Sequence, residues 1–507
     1  MEHTSFSYGI ITFLLGTLGI GAWASQQIKG DSVNFLVAGR GLALPLAAAT
    51  LMAQSVDSNA TLGNTDLSSE FGFWAGAALP IGLSLCLFLT GTFLAKPMNR
   101  MGLITIPDFY RVKYGRTVEL IAACIMCVSF SFLLAGNLVA GGYMFQTFLG
   151  TNYFGGITLL AALVFAYTVS GGLFAVAYTD AMQVVIALLG TLGLLFYLVA
   201  NFGIVIEPGM GPLAMEQLTA VSSGAAINWA SILALGLGNM VAIDFMARIF
   251  AAESPETAQK SCYAASLGTL IIGIPFSVIA LSANRILDEA GVVADGPVLF
   301  ALLQNVVPPL LGLLVLAAIL SASLSTADGA ILGTSSVLAH NVFGIRHGIE
   351  GGHSAVGHGA NGGDRLLLIT RLMAIFITLL GVFLGLRVPQ TGVLLLLGFD
   401  LGFAGLVVPL LGGLFWRKAT TQGAFACIVA GSITRLFFFV FMPTMFGIDN
   451  TLLYIPNNTF TVDFDGFPTL ISPIVGLIAF VIVSNLTYRR LDAEKLRAKS
   501  LEEIKHL

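Results

Sequence analysis

Residues 51–63 read Leu-Met-Ala-Gln-Ser-Val-Asp-Ser-Asn-Ala-Thr-Leu-Gly, with Gln54, Ser55, Asp57, Ser58, Asn59 and Thr61 crowded into eight positions. Apolar sequence flanks this stretch on both sides. Polar and charged groups inside an apolar span are costly, so they point to function. A continuous lipid-facing helix does not tolerate such a cluster. An interrupted helix lining a cavity does, because carbonyls freed at the interruption can bind a cation. The competing reading is a shorter span followed by an external polar loop.

The composition makes the membrane setting firm. Hydrophobic residues are 56% of the 507 and charged residues only 10%, against roughly 25% charged in an ordinary soluble domain. Too little charge is present to cover a water-exposed surface, but a lipid-facing exterior accounts for it. The 58 glycines suit closely packed helices in a bilayer. A net charge of −4 implies no nucleic-acid partner. The five cysteines fall in apolar stretches and read as small packing residues, Cys124-x-x-Cys127 included. The first apolar run, Ile10 to Trp23, lacks a basic leading region and reads as a retained helix rather than a cleaved signal.

A span needs about 20 predominantly apolar residues. Thirteen stretches qualify: about 7–27, 42–62, 73–95, 118–147, 155–171, 174–201, 226–247, 262–284, 308–340, 366–386, 391–415, 421–443 and 469–488. With the N-terminus outside, all but four of the 23 basic residues fall on the cytoplasmic side. The exceptions are Arg285 and Arg387 outside and Arg371 and Arg435 within spans. This asymmetry sets the N-terminus out and the C-terminus in. The expected architecture is an all-α polytopic membrane protein, one transmembrane domain over 1–490 and a charged cytoplasmic tail over 491–507 that meets anionic lipid. The loop 341–365 carries His347, His353 and His358 and reads as a flexible polar linker in preference to a metal-sensing loop.

Two more polar places stand out. Residues 317–328 read Ala-Ala-Ile-Leu-Ser-Ala-Ser-Leu-Ser-Thr-Ala-Asp, repeating in the ninth span the pattern of the second. Ser321 and Ser325 share a face, and hydroxyls with the Asp328 carboxylate are hard oxygen ligands suited to sodium. In residues 169–183 the pair Gly171-Gly172 permits a tight turn between spans. Thr179, Asp180 and Gln183 follow on one side of the next helix. Asp180 reads equally as an exposed helix-end charge or as a cation ligand near the inner gate. Asp244 and Arg248, four apart, are spaced to pair across a helix turn.

The chain resembles the sodium:solute symporter family over nearly its whole length. The resemblance rests on FLVAGR (35–40), GLITIPDFYRVKYGR (102–116), the 171–183 run, GNMVAIDFMARIFAA (238–252), the 317–336 stretch and GGLFWRKATTQGA (412–424), in that order. It implies a leucine-transporter-type core of 5+5 inverted repeats, about 42–201 and 226–415. It implies a sodium site made by the carbonyls of Ala53, Val56 and Ala322 and the hydroxyls of Ser325 and Thr326. A second cation site would use Asp180 and Asp328, although sialic acid transporters have serines where this chain has Asp328 and Gly329. A register shifted by two would put Ser55 and Ser58 in place of Ala53 and Val56; the unshifted register also aligns Gly63. The solute pocket would take Gln54, Ser55, Asp57, Ser58 and Asn239.

The resemblance implies a sodium-coupled symporter importing a small organic solute by alternating access, with sodium as coupling ion, no organic cofactor, and lipid and solute rather than protein or nucleic acid as partners. A bacterial inner membrane is the expected location. The alternatives are a transporter-like sensor without net transport and a proton-coupled carrier. A channel would need a continuous polar path. An enzyme would need an acid–base or metal constellation, and the six histidines lie at the termini, at a span end (His340) or in one loop.

Overall fold

A computed structural model describes residues 2–294, 296–346, 364–388, 391–450 and 453–488. The histidines of 347–363 and the tail 491–507 lie outside the described residues. The described chain is almost wholly helical, with one two-stranded hairpin, Thr444–Met445 against Ile448–Asp449.

Among the described residues, nine helices are long and apolar enough to cross a membrane, and eleven segments qualify if each of two bent pairs is one span. The difference from thirteen has two sources. The stretch from Leu44 to Phe71 is too polar and too broken to qualify. The helix Tyr153–Phe202 has 50 residues, about 75 Å if straight, far more than one crossing of ~30 Å needs. It is divided at Gly172, whose φ of 49° and ψ of −151° leave the helical region. Only glycine fits there: a Cβ would stand 2.5 Å from the Phe35 carbonyl oxygen.

The interruption expected from residues 51–63 is present. A helix runs Leu44–Ser55, Val56 departs at φ −101° and ψ 74°, and helix resumes through a π-turn Asn59–Gly63 into Asn64–Phe71. The cause is local. The Asp57 carboxylate accepts the Ala60 N–H at 2.7 Å, acting as a cap for the second half. In an unbroken helix that N–H would go to the Val56 carbonyl.

A second break was not expected from the sequence. Helix Ala225–Leu233 passes through Ala234–Gly238 and Asn239–Val241, leaves helical geometry at Ala242, and restarts as Ile243–Ala251. The two parts are bent by 48°. The ninth span corrects the sequence reading in the other direction. Pro309–Val337 is one uninterrupted α-helix. Its hydroxyls turn back onto its own carbonyls, as Ser325 does to Ala322 at 3.1 Å and Ser335 to Leu332 at 3.1 Å, so polarity here does not break the helix.

The polar helix Pro309–Val337 packs along Tyr153–Phe202, Arg116–Leu149 and Leu44–Ser55. The ends of the two broken helices are tied through backbone, with Leu42 N–H donating to the Ala251 carbonyl and Glu253 N–H to that of Leu42. The Arg40 guanidinium binds the carbonyls of Gly102 and Leu103 beside this junction. The two broken helices are therefore tied together at one end.

Candidate functional site

Four of the residues expected to hold sodium are drawn together, and all five are buried. The Ser325 hydroxyl donates to the Ala53 carbonyl at 3.1 Å and also faces that of Ala322 at 3.1 Å. Thr326, next along the same helix, has a buried hydroxyl oxygen without a hydrogen-bond partner. Val56 sits at the break itself, where the usual donor to its carbonyl is taken by Asp57. The end of the helix Leu44–Ser55 also directs the negative end of its dipole at this point. Hard oxygens, one of them an orphaned hydroxyl, converge where two helices meet, and that donor set fits an alkali cation.

The shifted register finds less support in the geometry. The Ser55 hydroxyl bonds the Met52 carbonyl at 2.8 Å and the hydroxyl of Thr269 on the helix Pro255–Glu289. Ser58 donates its N–H and hydroxyl to the Asn137 side chain at 3.3 and 2.7 Å. Neither faces Ser325. Gln54 turns toward the polar helix, its amide nitrogen donating to the Ser325 carbonyl. The close approach of Gln54 is possible because Gly329 has no side chain: a Cβ there would lie 2.3 Å from the Gln54 Oε1.

Asp180 and Asp328 are both fully buried. This rules out the reading of Asp180 as an exposed helix-end charge. One Asp180 oxygen accepts from the Thr50 hydroxyl and from the Arg248 guanidinium, the latter at 3.3 Å. One Asp328 oxygen accepts from the Tyr167 hydroxyl at 2.7 Å. The remaining oxygen of each carboxylate has no partner. The expected Asp244–Arg248 pairing is corrected. Arg248 reaches only the Asp244 main-chain carbonyl at 3.1 Å, while the Asp244 carboxylate accepts the N–H of Phe245 at 2.7 Å. The spacing of four was right for contact, but a carboxylate on another helix competes better for the guanidinium.

Asn239 lies at the second break, buried, with its side-chain oxygen unpartnered. Close by, a small space is lined by Ser129, Phe130, Gly238, Ala242, Phe399 and Gly402. Phe130 and Phe399 meet edge to face at 5.8 Å. Sequence reasoning missed these two rings and Asn137; aromatic residues in apolar spans look like packing until the fold brings them to a break. Beyond, toward Phe71 and Asn228, a cavity of ≈ 280 Å³ opens. At the other end, beside Arg248, Gly329 and Ser336, the space is only ≈ 20 Å³.

A sequence profile of the sodium:solute symporter family matches residues 35–431. Sodium/proline symporter 2 of Staphylococcus saprophyticus is 24% identical over 459 residues, covering 87% of each chain. The high affinity choline transporter 1 of Homo sapiens is 26% identical over 463 residues, covering 86% of this chain and 77% of its own. Among solved structures, a Na+-coupled sialic acid symporter in a substrate-bound outward-open state superposes with a TM-score of 0.73 at 15% identity, covering 95% of this chain and 98% of the other. The shared fold is of the leucine-transporter type.

Proposed function

The chain belongs to the sodium:solute symporter family, and from that premise we propose that the ion driving its cycle binds at the Val56 break, against Ser325 and Thr326. It is a multi-pass membrane protein carrying out sodium-coupled solute symport. The ligands are the carbonyls of Ala53, Val56 and Ala322 and the hydroxyls of Ser325 and Thr326. The observation that carries this assignment is the contact between Ser325 and the Ala53 carbonyl, with the unpartnered Thr326 hydroxyl beside it. When sodium binds, the Ser325 proton turns away from Ala53 and its oxygen joins the shell. Asp180 and Asp328 offer their free oxygens to a second cation.

The arrangement in the membrane follows. The helical stretches make thirteen crossings with the N-terminus out and the C-terminus in. The core is two inverted sets of five, about 42–201 and 226–415, in the cytoplasmic membrane of a bacterium. The placing of the two broken helices, first in each set, supports the pairing. The wider space at the Phe71 end supports an outward-facing form. Sodium bound across the break stabilises that form and shapes the solute pocket, so each ligand raises the affinity for the other by the same factor. Each charge carried inward gains about 2.3 kcal/mol per 100 mV.

For the solute we propose an organic molecule with a positively charged nitrogen. The named relatives carry proline and choline. Here Asp57 and Ser58 at the first break, Asn239 at the second, and the Phe130 and Phe399 rings supply a carboxylate, a hydroxyl, an amide oxygen and aromatic faces, which suit a cation. Gln54 and Ser55 shape this pocket from behind, through their bonds to Ser325 and Thr269. The test is uptake of radiolabelled L-proline and choline into proteoliposomes under an inward sodium gradient, with potassium as control. Sodium-driven accumulation of either is the expected result; accumulation equal in potassium contradicts the coupling.

A further inference from the structure

Among the described residues Arg248 is the largest fully buried side chain, and the cation site does not use it. Its Nε donates to the Thr50 hydroxyl at 2.8 Å, one terminal nitrogen to the Asp244 carbonyl at 3.1 Å, and the other to Asp180 at 3.3 Å. Thr50 in turn donates to the same Asp180 oxygen. Three elements are latched by this arrangement: the helix Leu44–Ser55, the part of Tyr153–Phe202 that follows Gly172, and Ile243–Ala251.

The position of the latch along each helix is informative. Thr50 is about one turn before Ala53. Asp328 and Gly329 are about one turn past Ser325, and Ser336 two turns further. Arg248 is near the end of its helix, at Ala251. All these displacements run toward the same end of the bundle, where Leu42 joins Ala251 and Arg40 binds Gly102. The ≈ 20 Å³ space walled by Arg248, Gly329 and Ser336 lies in that direction and has room for about one water. A cation leaving the Ala53–Thr326 site toward that end must pass a fixed guanidinium in a low-dielectric surrounding, which repels it.

A buried ion pair contributes little net stability, because desolvation of both groups offsets their attraction. A latch of this kind can therefore open at modest cost, provided each group finds a new partner. Here Asp180 can turn to the ion and Arg248 to water entering the widened space.

We propose that Arg248 is the inner gate of the ion path, closed while it is bonded to Thr50 and Asp180 and opened when that latch breaks. The proposal rests on the sodium site at the Val56 break and on an inward-directed release path.

The test uses the full-length protein with its five native cysteines replaced by alanine and a single reporter cysteine introduced by Ser336→Cys. Reaction with a membrane-impermeant thiol reagent is followed in inside-out vesicles with sodium present. Arg248→Gln is expected to speed labelling at least tenfold and to abolish concentrative uptake while leaving solute exchange intact; Arg248→Lys restores slower labelling in part. Thr50→Val, which removes one side of the latch without removing the charge, is expected to speed labelling severalfold and covers the case in which the glutamine variant fails to fold. Labelling unchanged in Thr50→Val, or in a folded Arg248→Gln, overturns the gate. Failure of the sodium site is a separate result: Thr326→Ala with a normal sodium requirement, whatever the labelling at 336.

Discussion

At the residue scale the decisive group is the Thr326 hydroxyl, buried with nothing to bond. An orphaned buried hydroxyl is unfavourable unless a ligand uses it. Thr326→Ala should raise the sodium concentration for half-maximal uptake at least tenfold, roughly 1.4 kcal/mol or more, with little loss of protein stability. An unaltered sodium curve removes Thr326 from the site. Asp180→Asn should weaken coupling, read as a lower steady-state solute accumulation at a fixed sodium gradient; full accumulation would make Asp180 a purely structural partner of Arg248. Ser325, Thr326 and Asp328 stood out in the sequence because hydroxyls and a carboxylate fall together there in an apolar run. The Asp180–Arg248 pair was not. Its partners are 68 residues apart, and the local spacing drew attention to Asp244 instead.

At the scale of elements the break in the second span depends on Asp57, which takes the Ala60 N–H. Replacing a capping Asp by Ala costs about 1 kcal/mol of helix stability, and here it would also return the Ala60 N–H to the Val56 carbonyl. Asp57→Ala should therefore weaken sodium binding even though Asp57 lies outside the proposed ion shell. Asp57→Asn, which keeps a capping oxygen, should weaken it less. Equal sodium affinities in both variants would mean that the break is held by something other than the cap. This break could be read from sequence because six polar side chains announce it. The break at Ala242 could not, since Gly236, Gly238 and a single Asn239 sit among apolar residues and glycine is common in membrane helices. The supposed interruption of the ninth span failed for a matching reason: serine and threonine satisfy themselves on their own helix.

At the scale of the whole molecule, one end of the helix bundle is fastened by a cluster around Asp108 and Glu119. Asp108 caps its own helix through Thr105 and meets His340 at 3.1 Å and Arg346 at 3.4 Å, while Glu119 meets Arg346 at 2.6 Å and Arg116 at 2.9 Å. Burial alone would push the Asp108 carboxyl upward, but the charge and hydrogen bond of His340, with Arg346 and the Thr105 N–H, hold it well below the ordinary carboxylate range. A depressed folded-state value stabilises the protein above the unfolded carboxylate pKa of about 3.9, and the contribution is lost as pH falls below that. In detergent, the unfolding temperature of the natural protein should thus fall between pH 5 and pH 3 more steeply than that of Asp108→Asn; parallel profiles would contradict the assignment. The membrane setting and most of the long apolar helices were legible from hydropathy, whereas this cluster, assembled from residues 108–119 and 340–346, far apart in sequence, was not. The transport cycle depends most on sodium being held between a broken helix and an unbroken one. The direct measurement is equilibrium binding of radioactive sodium to the purified protein, compared with the double variant Ser325→Ala/Thr326→Ala. Saturable binding that the double variant loses is the predicted result, and equal binding by both proteins would contradict it.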